Sequence, residues 1–298
     1  MLGGTHVFVQ RFEPLSFLQA VEAEQVTNVT LVPTMINMIL NHQQFDRFDQ
    51  SSLRRVCFGA APMSDGLLQQ VLRKLPHVRF QQAWGMTELS PIATLMDVKF
   101  TTVEYLLSGR LRSCGQAVAT VDVAIVDEHG AEVPHGKVGE VVVRGPTVMK
   151  GYWQQPEATI AALRDGWMHS GDAGIMDEDG FVFIVDRLKD MIVTGGENVY
   201  SAEVENVISL MPAVAEVAVI GIPNDTWGEA VHACVVPKAS AEISPEDVLA
   251  FCREHLASFK CPRSVDIRRQ SLPLSGAGKV LKAELRKPYW SDRLRGIN

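Results

Sequence analysis

Apolar positions along the first hundred residues follow two alternating periods. Residues 14–25 (PLSFLQAVEAEQ) open on proline and set Leu15, Leu18 and Val21 roughly on one face, which predicts an amphipathic helix. The apolar run at 29–32 reads as a short buried strand, stopped by Pro33 and followed by a helix over about 34–41. A second strand is expected at 53–58 (LRRVCF), running into a Gly-Ala-Ala-Pro turn at 59–62. Ser64 stands where an N-cap belongs, ahead of a helix with Leu67, Leu68, Val71 and Leu72 on its apolar side. Such alternation predicts an α/β layer over about 1–105.

The pattern then changes to short alternating runs separated by turn residues. Residues 121–126 (VDVAIV) lead into Asp-Glu-His-Gly, 138–144 (VGEVVVR) into Gly145-Pro146, and 177–180 (DEDG) form a hairpin turn before FVFIV. Antiparallel β structure, a distorted barrel, is expected over about 106–186. The last third mixes both periods. Ser201 is read as the cap of a helix with Val204, Val207, Ile208 and Met211 at helical spacing. Strands are expected at about 214–222 and 230–237, and Ser244-Pro245-Glu246-Asp247 is a strong helix start. No repeat or low-complexity linker occurs, so the boundary before this α+β unit must be short; residues 186–190 (DRLKD) suit it best.

Composition narrows the function classes. Of 298 residues, 28 are Lys or Arg and 35 Asp or Glu, a formal net charge of −7. That balance lacks the basic footprint of a nucleic-acid binder. The hydrophobic share of 46% and charged share of 21% are those of an ordinary globular chain, not a disordered one. No apolar run approaches the ~18 residues of a membrane helix, and the opening MLGGTHVFVQRFEP has no signal-peptide pattern. Five scattered cysteines without a Cys-x-x-Cys pair argue against zinc and for a reducing, cytoplasmic location.

Four segments carry candidate chemistry. In 81–91 (QQAWGMTELSP), Gly85 lets backbone approach a ligand, Trp84 offers a stacking face, Thr87 a hydroxyl and Glu88 a carboxylate for Mg²⁺. Taken singly, Trp84 suits a core, Thr87 a turn and Glu88 a solvated surface. Asp172, ending His-Ser-Gly-Asp at 169–172, suits two adjacent ribose hydroxyls or simply closes a turn. His169 reads as a structural histidine, with no second ligand at metal spacing. Residues 186–200 (DRLKDMIVTGGENVY) set charges around a Leu and then the Gly195-Gly196 pair, as an exposed hinge would. In 273–286 (PLSGAGKVLKAELR), Lys279 follows a glycine turn; Val280 and the upstream spacing exclude a P-loop. Lys279 is either a surface lysine or one presented to a neighbouring domain.

The order of these segments, Gly-Ala-Ala-Pro, Trp-Gly-Met-Thr-Glu, His-Ser-Gly-Asp, Asp-Arg-Leu-Lys-Asp with Gly-Gly-Glu-Asn, then Pro-x5-Lys, resembles the adenylate-forming superfamily of acyl-CoA synthetases. The resemblance runs from residue 1 to about 288, and RSCGQ (112–116) with GPTVMKGYW (145–153) is closest to fatty-acyl and medium-chain ligases. It implies a fold of α/β plus β plus α+β: a partial large domain over 1–186, then a small mobile α+β domain over 187–298 with its hinge at 187–190. It further implies activation of a carboxylic acid with MgATP to acyl-AMP and pyrophosphate, and acyl transfer to coenzyme A.

Residue by residue, the resemblance assigns Gly59, Ala60, Ala61 and Trp84 to the adenine, Thr87 to the α-phosphate and Glu88 to Mg²⁺. Asp172 and Arg187 take the ribose hydroxyls and Lys189 the hinge position. Gly195, Gly196 and Lys260 face coenzyme A, and Lys279 serves the adenylation step. Two departures bear on the acyl pocket: Met35 stands where an aromatic is frequent, and Ala83 where glycine is usual. A third is the family's Gly-rich phosphate loop, which these residues do not contain. The chain is therefore expected to begin inside the large domain. Two rival readings are a non-catalytic nucleotide- or CoA-binding remnant and a luciferase-like or carrier-protein-loading enzyme.

Overall fold

The computed structural model describes residues 3–59, 63–97, 109–239, 241–276 and 278–290, with Leu111 by its backbone alone. Ala60, Ala61 and the expected change of pattern near 105 lie outside the described residues.

The first layer follows the apolar periodicity. Helix α1 (Pro14–Glu24) buries Phe17, Leu18 and Val21, so Phe17 rather than Leu15 completes the stripe. Strands β1 (Asn28–Leu31), β2 (Arg55–Phe58) and β3 (Arg79–Trp84) pair in parallel. Helices α2 (Pro33–Leu40) and α3 (Asp65–Lys74) connect them, the arrangement that parallel neighbours require. Leu18, Val21, Ile36, Leu40, Val56 and Val71 form the buried centre of this layer. Ser64 caps α3 as expected, its hydroxyl accepting from the Leu67 N–H. The short strands β4 (Thr94–Leu95) and β5 (Gln116–Ala117) extend the sheet from β3 in antiparallel fashion.

A half-barrel sheet comes next, built from β6 (Asp122–Val126), β7 (Gly139–Arg144), β8 (Leu163–Arg164), β9 (Trp167–Met176) and β10 (Val182–Arg187). Its order is β10-β9-β7-β6, with β8 on β9, and α4 (Pro156–Ala162) leads into β8. Bulges between Glu140 and Val142 and between Ile184 and Asp186 distort it. At the expected hairpin, the Asp177 carboxylate accepts from the N–H groups of Asp179 and Phe181.

The carboxyl-terminal unit is a sheet of β11 (Ile192–Thr194), β12 (Glu197–Val199), β13 (Val214–Asn224), β14 (Gly228–Pro237) and β15 (Ser264–Ile267). Both faces of its central hairpin are covered, which is why β13 and β14 read as continuous apolar runs. Val219, Val231 and Val235 pack with Val204 and Ile208 of α5 (Ser201–Ser209) and Val248 and Cys252 of α6 (Pro245–His255). Their neighbours Ala218, Ile220 and Cys234 point the other way, toward Leu272 and toward Leu285 of α7 (Lys282–Trp290). The predicted start of α6 is a full capping box between Ser244 and Asp247.

One predicted cap is corrected. Ser201 is the first helical residue of α5; Tyr200 holds the N-cap position and supplies no side-chain bond. The fold class matches the expected α/β, β and α+β succession. No described helix is long and apolar enough to cross a membrane.

Candidate active site

Four of the candidates, Trp84, Asp172, Arg187 and Lys279, come together where β3, the β9–β10 pair and the loop before α7 meet. Antiparallel register sets Arg187 of β10 opposite Asp172 of β9. The guanidinium Nε lies 3.5 Å from the Asp172 carboxylate, and the Trp84 indole N–H donates to the same carboxylate at 2.8 Å. Gly171, at φ +72°, lies within β9 just before Asp172, where the pairing with β7 shifts register. Glu140 supports it, accepting from the Gly171 N–H at 3.0 Å and lying 2.7 Å from His169, which accounts for that histidine as structural. Trp84 is half-buried between two apolar clusters, as its core reading expects, and its indole N–H is turned to Asp172.

Lys279 reaches this centre from more than ninety residues away. Its loop is closed by the Gly278 N–H donating to the Ser275 carbonyl and the Lys279 N–H to the Ser275 hydroxyl. The loop is also fastened to the first layer. Thr34 at the start of α2 donates its hydroxyl to the Gly278 carbonyl at 2.6 Å. Gly278 sits at φ +76°, and a Cβ there would lie 2.9 Å from Val32 and 3.9 Å from the Met35 methyl. The turn of helix that carries Met35 is thus the platform for the lysine loop. Asn37, one turn along α2, donates to the Ala215 carbonyl at 3.0 Å and extends the same contact.

Electrostatics link these groups. Burial pushes the Asp172 carboxyl above the usual carboxylate value, against the downward pull of the Trp84 bond and of Arg187 and Lys279. Burial and then Arg187 draw Lys279 below the ordinary lysine value, with Asp172 opposing and Lys189 adding. Lys279 therefore stands among two other cations and one carboxylate. Such a surplus favours an anionic ligand.

Glu88 lies in the helical turn Thr87–Leu89 and Thr87 is exposed beside it. The loop 147–152 grips this turn: the Tyr152 hydroxyl donates to Glu88 Oε1 at 2.9 Å and the Met149 N–H to the Glu88 carbonyl at 2.7 Å. At Gly85 the close approach that the structure shows is to the chain itself. A Cβ there would lie 1.9 Å from the Pro91 carbonyl, so its lack of side chain is consumed by the chain's own packing. Gly59 likewise abuts the Ala83 carbonyl, 2.5 Å from where its Cβ would be.

Gly195 and Gly196 turn the β11–β12 hairpin, both at positive φ, as primed two-residue turns require. Trp227 fills the space over Gly195, while a Cβ at Gly196 would meet nothing within 4 Å. Lys260 is not gathered around Lys279; it pairs with both oxygens of Glu203 on α5 at 2.7 Å. Lys189 lies in the short helical turn Leu188–Asp190 that joins β10 to the carboxyl-terminal unit.

Comparison with known families decides what this arrangement belongs to. Residues 1–153 match the model of the AMP-binding enzyme family, and residues 203–279 that of the AMP-binding enzyme C-terminal domain. The chain belongs to the AMP-binding enzyme family. A feruloyl-CoA synthase of an Amycolatopsis species is 43% identical over 287 residues, covering 96% of this chain and 57% of that one. A medium/long-chain fatty-acid–CoA ligase of Mycobacterium tuberculosis is 38% identical over 307 residues, covering 99% and 52%. The solved amide bond synthetase McbA of Marinactinospora thermotolerans superposes with a TM-score of 0.85 at 36% identity, covering 94% and 56%. The chain spans about half the length of the relatives it matches.

Three groups are not evident from the sequence alone. Tyr152 sits inside the quoted GYW, but nothing local pairs it with Glu88. Thr34 adjoins Met35, yet its partner is 244 positions away. Asp186 was legible only as one charge in a hinge, although it is buried.

Proposed function

We propose that this chain supplies the adenine, ribose, metal and lysine groups of an AMP-forming acid–thiol ligase, an acyl-CoA synthetase acting on an apolar, fatty-type carboxylic acid. The observation that carries the reading is the meeting of Lys279 with the Trp84–Asp172–Arg187 cluster across the junction of two units. In this reading Gly59, Ala60, Ala61 and Trp84 border the adenine, Asp172 and Arg187 hold the ribose hydroxyls, and Thr87 meets the α-phosphate. The carboxylate of the acid attacks the α-phosphorus of ATP, and pyrophosphate leaves. Lys279 offsets charge gathering on the carboxylate and α-phosphate oxygens, a contribution that a preorganised, water-poor site magnifies.

Mg²⁺ prefers oxygen ligands and completes its shell with substrate phosphates. Among the described residues no group of three His, Cys, Asp or Glu side chains is placed to hold a metal. Glu88, steadied by Tyr152, therefore fits a cation that arrives with the nucleotide. When bound, Mg²⁺ would reduce the negative charge that repels the incoming carboxylate.

The carboxyl-terminal unit then turns about Lys189, withdraws Lys279 and brings the Gly195-Gly196 turn to the site. One cavity thereby serves two nucleophiles in succession. The thiol of coenzyme A attacks the acyl-AMP carbonyl and AMP departs. Open space at Gly196 suits a channel wall, and Lys260 lies on the coenzyme A side. The unit of 187–298 is accordingly read as a small mobile domain, and 1–186 as part of a large one. Five thiols without a disulfide accord with a reducing, cytoplasmic setting.

The test joins this chain to the amino-terminal part of the feruloyl-CoA synthase it resembles, and measures pyrophosphate release with octanoate, palmitate and ferulate. Acid-dependent release that is greater with the fatty acids is expected. Release with none of the three would leave a nucleotide-binding remnant and overturn the reading.

A further inference from the structure

The hinge segment is flanked by two carboxylates, Asp186 buried and Asp190 part-buried, and they are held in different ways. Asp190 accepts from Arg286 Nη1 of α7 at 2.9 Å, so both partners lie on the carboxyl-terminal side of Lys189. Asp186 lies on the other side. Its backbone belongs to β10, paired with Ala173 of β9. Its side chain nevertheless leaves that sheet. The Asp186 carboxylate accepts from the Ser201 N–H at 2.5 Å, the Ser201 hydroxyl at 2.6 Å and the Ala202 N–H at 3.4 Å. These are first-turn groups of α5, the helix whose own N-cap residue, Tyr200, makes no side-chain bond. The cap is supplied from across the hinge.

The bulge between Ile184 and Asp186 explains how one strand end serves two purposes. Successive strand residues point to opposite faces, and a bulge re-aims them locally. Arg187 faces Asp172, and Asp186 faces α5. The contact is reinforced behind Ser201, whose hydroxyl accepts from Lys282 Nζ at 2.5 Å. Lys282 in turn pairs with Glu205 at 2.7 Å. It lies three residues beyond Lys279, so the network joins the hinge to the loop of the adenylation lysine.

From this we propose that Asp186 is the positioning residue that latches the carboxyl-terminal unit in the orientation that presents Lys279. The inference rests on the reading of Lys279 and Lys189 given above. Turning about Lys189 carries α5 away from β10 and must break all three bonds to Asp186. The charges left behind are already balanced, Lys282 by Glu205 and Arg286 by Asp190, while Asp186 passes to water. No buried charge is stranded by release. A latch of hydrogen bonds is therefore strong enough to define one orientation and still open reversibly.

The experiment uses the 298-residue chain without ligand, and compares chemical acetylation of Lys279 and Lys260 in the wild type, Asp186→Ala and Asp186→Asn. Loss of the latch should raise the labelling rate of Lys279 about tenfold, with Asp186→Asn between the two. Lys260, held by Glu203 within the same unit, should be unchanged. Ser201→Ala removes only the hydroxyl bond and should give a smaller rise in Lys279 labelling, which keeps the test open should Asp186→Ala not fold. A mere helix cap would loosen the Ser201 and Ala202 amides in hydrogen exchange and leave Lys279 labelling at the wild-type rate. That result would overturn the latch. Because no nucleotide is added, failure of the proposed ligase activity cannot mimic it.

Discussion

Lys279→Ala, in the fused enzyme described above, is expected to lower adenylation by about 10²–10³, the scale of one lost transition-state charge partner. Thioester formation from supplied acyl-AMP should be nearly unchanged, because in the proposed cycle the lysine has left the site by that step. The asymmetry follows from the position of Lys279 on a loop that a Thr34–Gly278 hydrogen bond fastens to the first layer in this orientation. A pH profile adds a second readout. Burial and Arg187 draw Lys279 below the ordinary lysine value, so its charged form is lost earlier as pH rises. The alkaline limb of the adenylation rate should accordingly begin below the usual lysine range and vanish in Lys279→Ala. Equal loss in both half-reactions would contradict the assignment.

Lys189→Pro should divide the half-reactions the other way. Proline fixes φ near −65° and removes a backbone N–H. Lys189 lies in the Leu188–Asp190 turn, between Asp186 and Asp190, whose side chains are both committed to the carboxyl-terminal unit. A rigid residue at that point leaves the unit where it stands, with Lys279 at the Trp84–Asp172–Arg187 cluster. Adenylation should persist, and transfer to coenzyme A should fall by about 10² or more, the effect of misplacing a reacting group. Pyrophosphate release and thioester formation, measured separately in single-turnover mixing, decide the matter. Retained thioester formation with lost adenylation would show that the hinge lies elsewhere.

What could be read in the sequence was what is local. Ser64 and Ser244 were visible as caps because each bonds an N–H three residues on. The Gly195-Gly196 pair was visible because a two-residue hairpin imposes its own residue types. Ser201 was misread for the same reason: a serine at a helix start looks like a cap, but the carboxylate that caps α5 comes from Asp186, brought there by a bulge. Gly85 shows the same limit: its need for space is evident in the sequence, but not that the Pro91 carbonyl lies where its Cβ would be. Trp84, Asp172 and Lys279 stood out locally, but only motif order joined them with Arg187 in one site. No periodicity in the chain predicts that the indole of β3, the β9–β10 register and a glycine turn beyond β15 converge on one carboxylate, Asp172. Tyr152 and Thr34 have partners 64 and 244 positions away, and nothing near either one in sequence announces them.

The central claim is that the cluster of Trp84, Asp172, Arg187 and Lys279 is built for an adenylate. AMP and acyl-AMP carry no β- or γ-phosphate, so a polypeptide of these 298 residues should hold them without the family's phosphate loop. Titration of AMP and a non-hydrolysable acyl-AMP mimic into that polypeptide by calorimetry is the most direct measurement. Binding with Kd of roughly 10⁻⁵–10⁻³ M, about 4–7 kcal/mol, is expected. Asp172→Ala should weaken it about tenfold or more, the cost of losing charge-assisted hydrogen bonds. Binding of neither ligand by the folded chain, or equal binding by Asp172→Ala, would contradict the account.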